Sequence, residues 1–160
     1  MSATRTGIGY DSHRFAPGGP LVLGGVRIES DVHLHGHSDG DAIAHAVTDA
    51  ILGAAAEGDI GSMFADTDAE NRGRDSIQML EIATARVRDA GFDIGQVDVV
   101  VVAETPKIAP HRDAMRARIA GALGVELRDV SIKGKTNERM GWIGREEGIA
   151  CMATATIVAR

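Results

Sequence analysis

Residues 97–104 read VDVVVVAE, with Val99–Val102 uninterrupted. A β-branched run of this kind is expected of a strand covered on both faces. The flanking sequence supplies the cover. Upstream, residues 75–90 place Ile77, Leu80, Ala83 and Val87 at helical spacing, and Gly91 is a C-terminal stop. Downstream, Pro110 opens a helix carrying Met115, Ile119 and Leu123, which Gly124 closes. Farther out, GIGYDSHRF (7–15) alternates as a strand, and PLVLGGVRI (20–28) reads as a second strand broken by a glycine pair. A helix begins at Asp41, with Ile43, Val47, Ala50, Ile51 and Ala54 at helical spacing and Gly58 able to end it. GDIGSMFADTD (58–68) is a loop rich in Gly and Asp, while DVSIKGKT (129–136) and GIACMATATIVAR (148–160) read as two final strands. The predicted order is β-β-α-α-β-α-β-β. That is an α+β fold, a mixed α/β sandwich in which a layer of helices covers a mainly β sheet, with residues 1–160 as a single domain. The last strand has little polar alternation, so its second face is expected to be buried by another subunit.

Composition narrows the functional classes. The chain has 160 residues, 44% of them hydrophobic, and no run approaches the ~20 apolar residues of a membrane span. The start, MSATRTGIGYD, carries no apolar signal segment, and a cytoplasmic location is expected. A net charge of −6 and 3% aromatic residues argue against nucleic acid as a partner, which calls for basic stripes and stacking rings. A polyphosphate substrate would therefore need local neutralisation by metal ions, helix N-termini or a few cationic side chains. The single cysteine, Cys151, excludes an internal disulfide and a CxxC metal site, and reads as a small buried residue.

The densest chemistry lies in HLHGHSDGDAIAH (33–45), which holds four of the six histidines. Asp11 and His13, two apart on a strand, share one face. Asp41, His45 and Asp49 follow one line along the next helix, expected to face a cleft. Two imidazoles and a carboxylate, Asp11, His13 and His45, suit an open zinc site with one position left for an exogenous oxygen. His33 and His35 read as solvated loop residues. Other motifs fail. GKT (134–136) lacks the upstream glycine of a P-loop because residue 129 is Asp, and GIG (7–9) lacks the third glycine of a dinucleotide fingerprint. Adjacent His37, Ser38 and Asp39 cannot converge as a catalytic triad.

Five motifs in order, GYDSHRF, HSDGDAIAH, GDIGSMFADTD, AETPKIAPH and KGKTNERMGWIGREEGIA, span residues 9–150. Together they resemble the 2-C-methyl-D-erythritol 2,4-cyclodiphosphate synthases of the non-mevalonate isoprenoid pathway. The resemblance implies a homotrimer with active sites at subunit boundaries. It also implies a reaction, the cyclisation of 4-diphosphocytidyl-2-C-methyl-D-erythritol 2-phosphate with release of CMP. Its zinc ligands fall on Asp11, His13 and His45, the first two also bordering substrate. A second divalent ion, magnesium or manganese, belongs between the substrate phosphates near Glu138. His37 and Thr136 take the transition-state-stabilising positions, and Ser38 meets substrate. Asp59, Ile60 and Gly61 face the ribose; Phe64, Ala65, Asp66, Thr67 and Asp68 cover the methylerythritol portion. Ala103 through Ala109, with Pro106 and Lys107, form the cytosine pocket. Lys135, Thr136, Asn137 and Glu138 hold phosphates, with Trp142 and Arg145 also in the binding set. Two positions depart from the family pattern: Ala65 stands where proline is common, and Lys135 where a small hydroxyl residue often sits.

In this chemistry the substrate's own 2-phosphate is the nucleophile, so the absence of a Ser-His or Cys-His pair is no objection. The protein's tasks are to fold a floppy polyanion into a ring and to offset its repulsion. Asp41 either orients neighbouring ligands or binds substrate. Two rivals share these residues: a metal-dependent phosphoesterase that uses water as nucleophile, and a non-catalytic diphosphate-binding trimer.

Overall fold

The valine run lies within β5 (Phe92–Val102) of a computed structural model that describes residues 3–160; Met1 and Ser2, the start of the expected domain, lie outside the described residues. It belongs to a five-stranded sheet with β1 (Thr4–Pro17), β4 (Val32–Leu34), β6 (Val130–Lys135) and β7 (Gly148–Ala159), in the order β4-β1-β7-β5-β6. All neighbouring pairs are antiparallel except β5 and β6, which run parallel. A parallel pair needs a covering crossover. Here α4 (Arg112–Leu123) supplies it. The expected strand broken by a glycine pair is a hairpin, β2 (Leu21–Leu23) and β3 (Val26–Ile28). Gly24 and Gly25 both take positive φ, which folds the chain back instead of merely bending it.

The two long predicted helices are α1 (Ala42–Ala55) and α3 (Ser76–Asp89). Between them the loop contains a one-turn helix, α2 (Ile60–Met63), and a second such turn, α5 (Gly141–Gly144), precedes β7. Asp41 caps α1 by accepting from the Ala44 N–H at 3.0 Å, and Asp75 caps α3 by accepting from the Ile77 N–H at 2.9 Å. The first helix ends at Ala56, in left-handed conformation, two residues before Gly58.

The helices bury one face of the sheet. Val97, Val99 and Val101 are buried with Ile51, Leu80, Met115 and Leu123 in one apolar cluster. On the opposite face Val100 and Val102 are only half-buried, and Ile8, Tyr10 and Met152 are exposed. Cover on both faces of β5, expected from its valines, is thus met on one face within a single chain. The long helices α1, α3 and α4 pack on the other side.

One contact decides how α1 sits. Gly7 and Gly9 of β1 lie against Ala46, Ala50 and Ala54 of α1. A Cβ on Gly9 would stand 1.9 Å from the Ala46 carbonyl oxygen, and one on Gly7 would stand 2.1 Å from that of Ala50. Only glycine opposite alanine lets helix and strand backbones approach this closely. The closeness brings the first turn of α1 over the middle of β1.

Candidate metal centre and active site

Beyond Gly9 on the same face of β1 come Asp11 and His13, and the first turn of α1 presents His45 to them. Asp11 Oδ2 lies 2.8 Å from His13 Nε2 and 3.1 Å from His45 Nδ1, and the two ring nitrogens are 3.3 Å apart. The edge between the imidazoles equals the roughly 3.3 Å separation expected of ligand atoms around a tetrahedral ion with bonds of about 2.0–2.1 Å, and the two edges to the carboxylate are shorter, at hydrogen-bond length. All three side chains offer ligand atoms within 4.8 Å of one another, so the group can hold a metal ion. The donors are already aimed. The Nδ1 of His13 is 2.7 Å from the His35 carbonyl oxygen, to which it donates, leaving Nε2 for the centre. His45 turns its Nε2 away from the centre toward the hydroxyls of Ser38 and Ser76, at 2.9 and 2.8 Å.

Electrostatics agree with this wiring. Burial pushes the Asp11 carboxyl up, but hydrogen bonds and charge from His13 and His45 outweigh it and hold the group below the usual carboxylate value. Burial pushes His13 down, and the bonded Asp11 carboxylate with the His35 carbonyl more than reverses this, raising it.

Asp41 does not face the cleft, contrary to the line of polar residues expected along α1. It is fully buried, and its carboxylate accepts from the N–H groups of Gly24 at 2.8 Å and Gly25 at 2.7 Å as well as from Ala44. It therefore pins the β2–β3 turn to the start of α1, one turn before His45. Burial raises its pKa despite those three donors. Asp49, half-buried, accepts from the Ile60 N–H at 2.8 Å and so anchors α2.

The expected substrate residues fall into separate cavities. His13, His37, Ser38, His45, Ile60, Gly61, Phe64 and Asp66 line one. Ala103, Pro106, Lys107, Ala109, Lys135 and Thr136 line a second, beyond the carboxyl ends of the parallel strands β5 and β6. Lys107 and Arg145 border a third with Glu104 and Arg139. Asp59, Ala65, Thr67, Asp68, Asn137, Glu138 and Trp142 line none of these three. Asp59 is exposed and caps α2, with its carboxylate accepting from the Ser62 N–H. Glu138 and Arg139 are both left-handed, and the Arg139 N–H donates to Glu104 Oε1 at 2.8 Å, which holds the turn after β6 against the start of the β5–α4 loop. Neither the metal group nor His37 reaches the second cavity.

Three features escaped the residue-level reading. The spacing Gly7-x-Gly9 opposite Ala46, Ala50 and Ala54 was a visible packing signal. The inward turn of Asp41 could have been suspected from its place as a helix cap. Ser76 gave no sign, since a serine opening a helix is ordinary.

Residues 4–158 match the model of the YgbB family. The chain is 63% identical over 155 residues to the 2-C-methyl-D-erythritol 2,4-cyclodiphosphate synthase of Gemmatimonas aurantiaca, covering 97% of this chain and 93% of that protein. It is 53% identical to the enzyme of the same name from Burkholderia ambifaria, covering 96% of each. Among solved structures, Plasmodium falciparum IspF in complex with CDP superposes with a TM-score of 0.87 at 35% identity, over 100% of this chain and 99% of that one. The bifunctional IspDF of Campylobacter jejuni superposes with a TM-score of 0.96 at 39% identity; this chain is covered completely and spans 43% of that protein. With a family model matched from the first strand to the last, the chain belongs to the YgbB family.

Proposed function

We propose that the protein cyclises 4-diphosphocytidyl-2-C-methyl-D-erythritol 2-phosphate to 2-C-methyl-D-erythritol 2,4-cyclodiphosphate and releases CMP. The observation that carries this reading is the Asp11, His13 and His45 group, set at the edge of a cavity lined by His37 and Ser38. The donor set suits zinc. A second divalent ion, magnesium or manganese, would be held with the substrate phosphates near Glu138. When bound, the two cations would supply charge neutralisation for phosphoryl transfer.

The chain's own residues then have four tasks. Ala103, Pro106, Lys107 and Ala109 hold the cytosine, and Lys135 through Glu138, with Arg145 and Trp142, hold phosphate. Asp59, Ile60 and Gly61 receive the ribose, and Phe64 through Asp68 close over the methylerythritol portion. His37 and Thr136 meet the phosphoryl group as its charge shifts. Nothing need remove a proton from the nucleophile, because the attacking 2-phosphate oxygen is already ionised. Its attack on the β-phosphorus breaks the bond to the CMP oxygen, which leaves with the electron pair.

Both halves are needed, and one chain keeps them in different cavities. A homotrimer, with the metal half of one subunit facing the cytosine half of the next, answers this. It also covers the open sheet face, where Ile8 is 71% and Tyr10 57% exposed. Residues 1–160 act as one domain in the cytoplasm, without nucleic acid or membrane; no helix among the described residues is long and apolar enough to cross a membrane.

Turnover in ¹⁸O-labelled water tests the reaction. Cyclisation uses an oxygen already in the substrate, so CMP and the cyclic diphosphate emerge unlabelled by mass spectrometry. Label gained in CMP or in a linear diphosphate assigns the site to hydrolysis instead.

A further inference from the structure

The metal-facing histidine is wired to a buried serine and a carboxylate that the chemistry above does not use. Ser76, the first residue of α3, is wholly buried, with its Oγ 2.8 Å from His45 Nε2. On its other side Ser76 Oγ donates to Asp39 Oδ1, and the Ser76 N–H donates to Asp39 Oδ2 at 3.1 Å. With a cation at the centre, the hydrogens of this chain fall in one order. A His45 ring that offers Nδ1 to the centre must carry its hydrogen on Nε2, which then donates to Ser76 Oγ. The serine hydroxyl hydrogen passes to the Asp39 carboxylate, which can only accept. Reversing the ring would leave Nε2 to accept from Ser38 Oγ alone, since the Ser76 hydrogen is already committed to Asp39, and would point an N–H at the metal position.

We propose that Ser76 and Asp39 are positioning residues for the metal centre: through Ser76, Asp39 fixes the tautomer and orientation of His45 so that Nδ1 faces Asp11 and His13. A carboxylate bonded to a ligating imidazole is a recurrent device for this purpose, and here a serine hydroxyl is interposed. Ser38 Oγ, also 2.9 Å from Nε2, does not replace the pair. One N–H has one hydrogen, and Ser76 is the hydroxyl backed by a carboxylate. Ser38 stays free to donate into the cavity that it lines. The same bonds join two elements, since Asp39 belongs to the segment before α1 and Ser76 opens α3. A backbone bond from the Gly73 N–H to the His37 carbonyl oxygen, 2.7 Å, ties them a second time. The wiring thus sets the metal ligand and the cavity walls together.

This inference rests on the metal reading of the site, but its test needs no substrate. Long-range ¹H–¹⁵N NMR of the zinc-loaded protein reports which His45 nitrogen carries hydrogen. Competition with a chromophoric chelator reports zinc affinity. In the wild type, the hydrogen is expected on Nε2. Ser76→Ala should weaken zinc roughly 10- to 100-fold, the usual range for losing such a partner. Asp39→Asn, whose amide oxygen can still accept from Ser76, should fall between. Thr84→Ala removes another buried hydroxyl of α3, one that donates to the Leu80 carbonyl oxygen, and should change neither reading. Hydrogen on Nδ1 of wild-type His45 would overturn the proposal, as would Ser76→Ala binding zinc within twofold of wild type. If Ser76→Ala does not fold, the zinc affinity of Asp39→Asn decides, an unchanged value overturning the proposal. A protein that passed these tests yet made no cyclic diphosphate would refute the proposed reaction and leave the wiring intact.

Discussion

The two halves of the candidate site are built differently. The metal half is assembled from a strand and a helix locked together, and its three donors are partly buried and oriented by hydrogen bonds. The cytosine and phosphate half sits on connections after β5 and β6, with Lys135, Thr136 and Glu138 at the surface. Its precision lies in backbone geometry, such as the left-handed pair Glu138 and Arg139. The contrast follows from what each half must hold. A small cation rewards rigid donors within a few tenths of an ångström. A long flexible anion is bound by many groups, each of modest worth, and the walls that bind it must open to admit it.

Removing a donor should have the largest effect. His45→Ala is expected to lose stoichiometric zinc by elemental analysis and to cut turnover roughly 100- to 1,000-fold, since electrostatic stabilisation by a metal is worth several kcal/mol. Near-full zinc in this variant would break the distinction between a rigid metal half and the rest. Gly9→Ala attacks the same half through packing alone. Its new Cβ meets the Ala46 carbonyl oxygen at 1.9 Å, so helix and strand must separate. Overpacking of this kind costs about 3 kcal/mol, which for a chain of this size lowers Tm by roughly 6–12 °C. Zinc binding should weaken with it, and an unchanged Tm would show that the close approach is not needed.

Lys107→Ala tests the other half. Zinc content should stay at the wild-type level while KM rises about tenfold, the worth of one charge-assisted contact. Mixed with His45→Ala, it should recover part of the activity if the two halves meet across a subunit boundary. No recovery, with both variants folded and exchanging subunits, would place each site within one chain.

The smallest expected effect is the pH dependence of the metal-free centre. Asp11 is lowered below its ordinary 3.8 on folding, so its stabilisation is present above that value and is lost as pH falls through the folded value. His13 is raised above its ordinary 6.5, so its stabilisation is full below 6.5 and is lost as pH rises through the folded value. The Tm difference between wild type and His13→Asn, both metal-free, should therefore be greatest between these values and shrink above. A bound cation displaces the His13 proton, so zinc should add more to Tm as pH rises past 6.5. A flat difference across the range would mean that Asp11 and His13 do not share a proton in solution.

Sequence by itself determined the elements and the donor types. Apolar residues at helical spacing marked α1, α3 and α4, and β-branched and alternating runs marked β1, β5 and β7, because these periods report which side chains share a face. The same logic placed Asp11 beside His13. What lies outside such local periods was decided only by tertiary structure. His45 reaches two residues more than thirty positions earlier because Gly7 and Gly9 admit the alanine face of α1, a contact between backbones that no periodicity encodes. Asp41 and His45 are four apart on one helix, yet one is sealed under the Gly24–Gly25 turn while the other opens to the cavity. The ring nitrogen left to face Asp11 depends on a serine opening a different helix. Spacing sets the side of an element on which a donor stands. The close packing of one element on another sets what that donor meets.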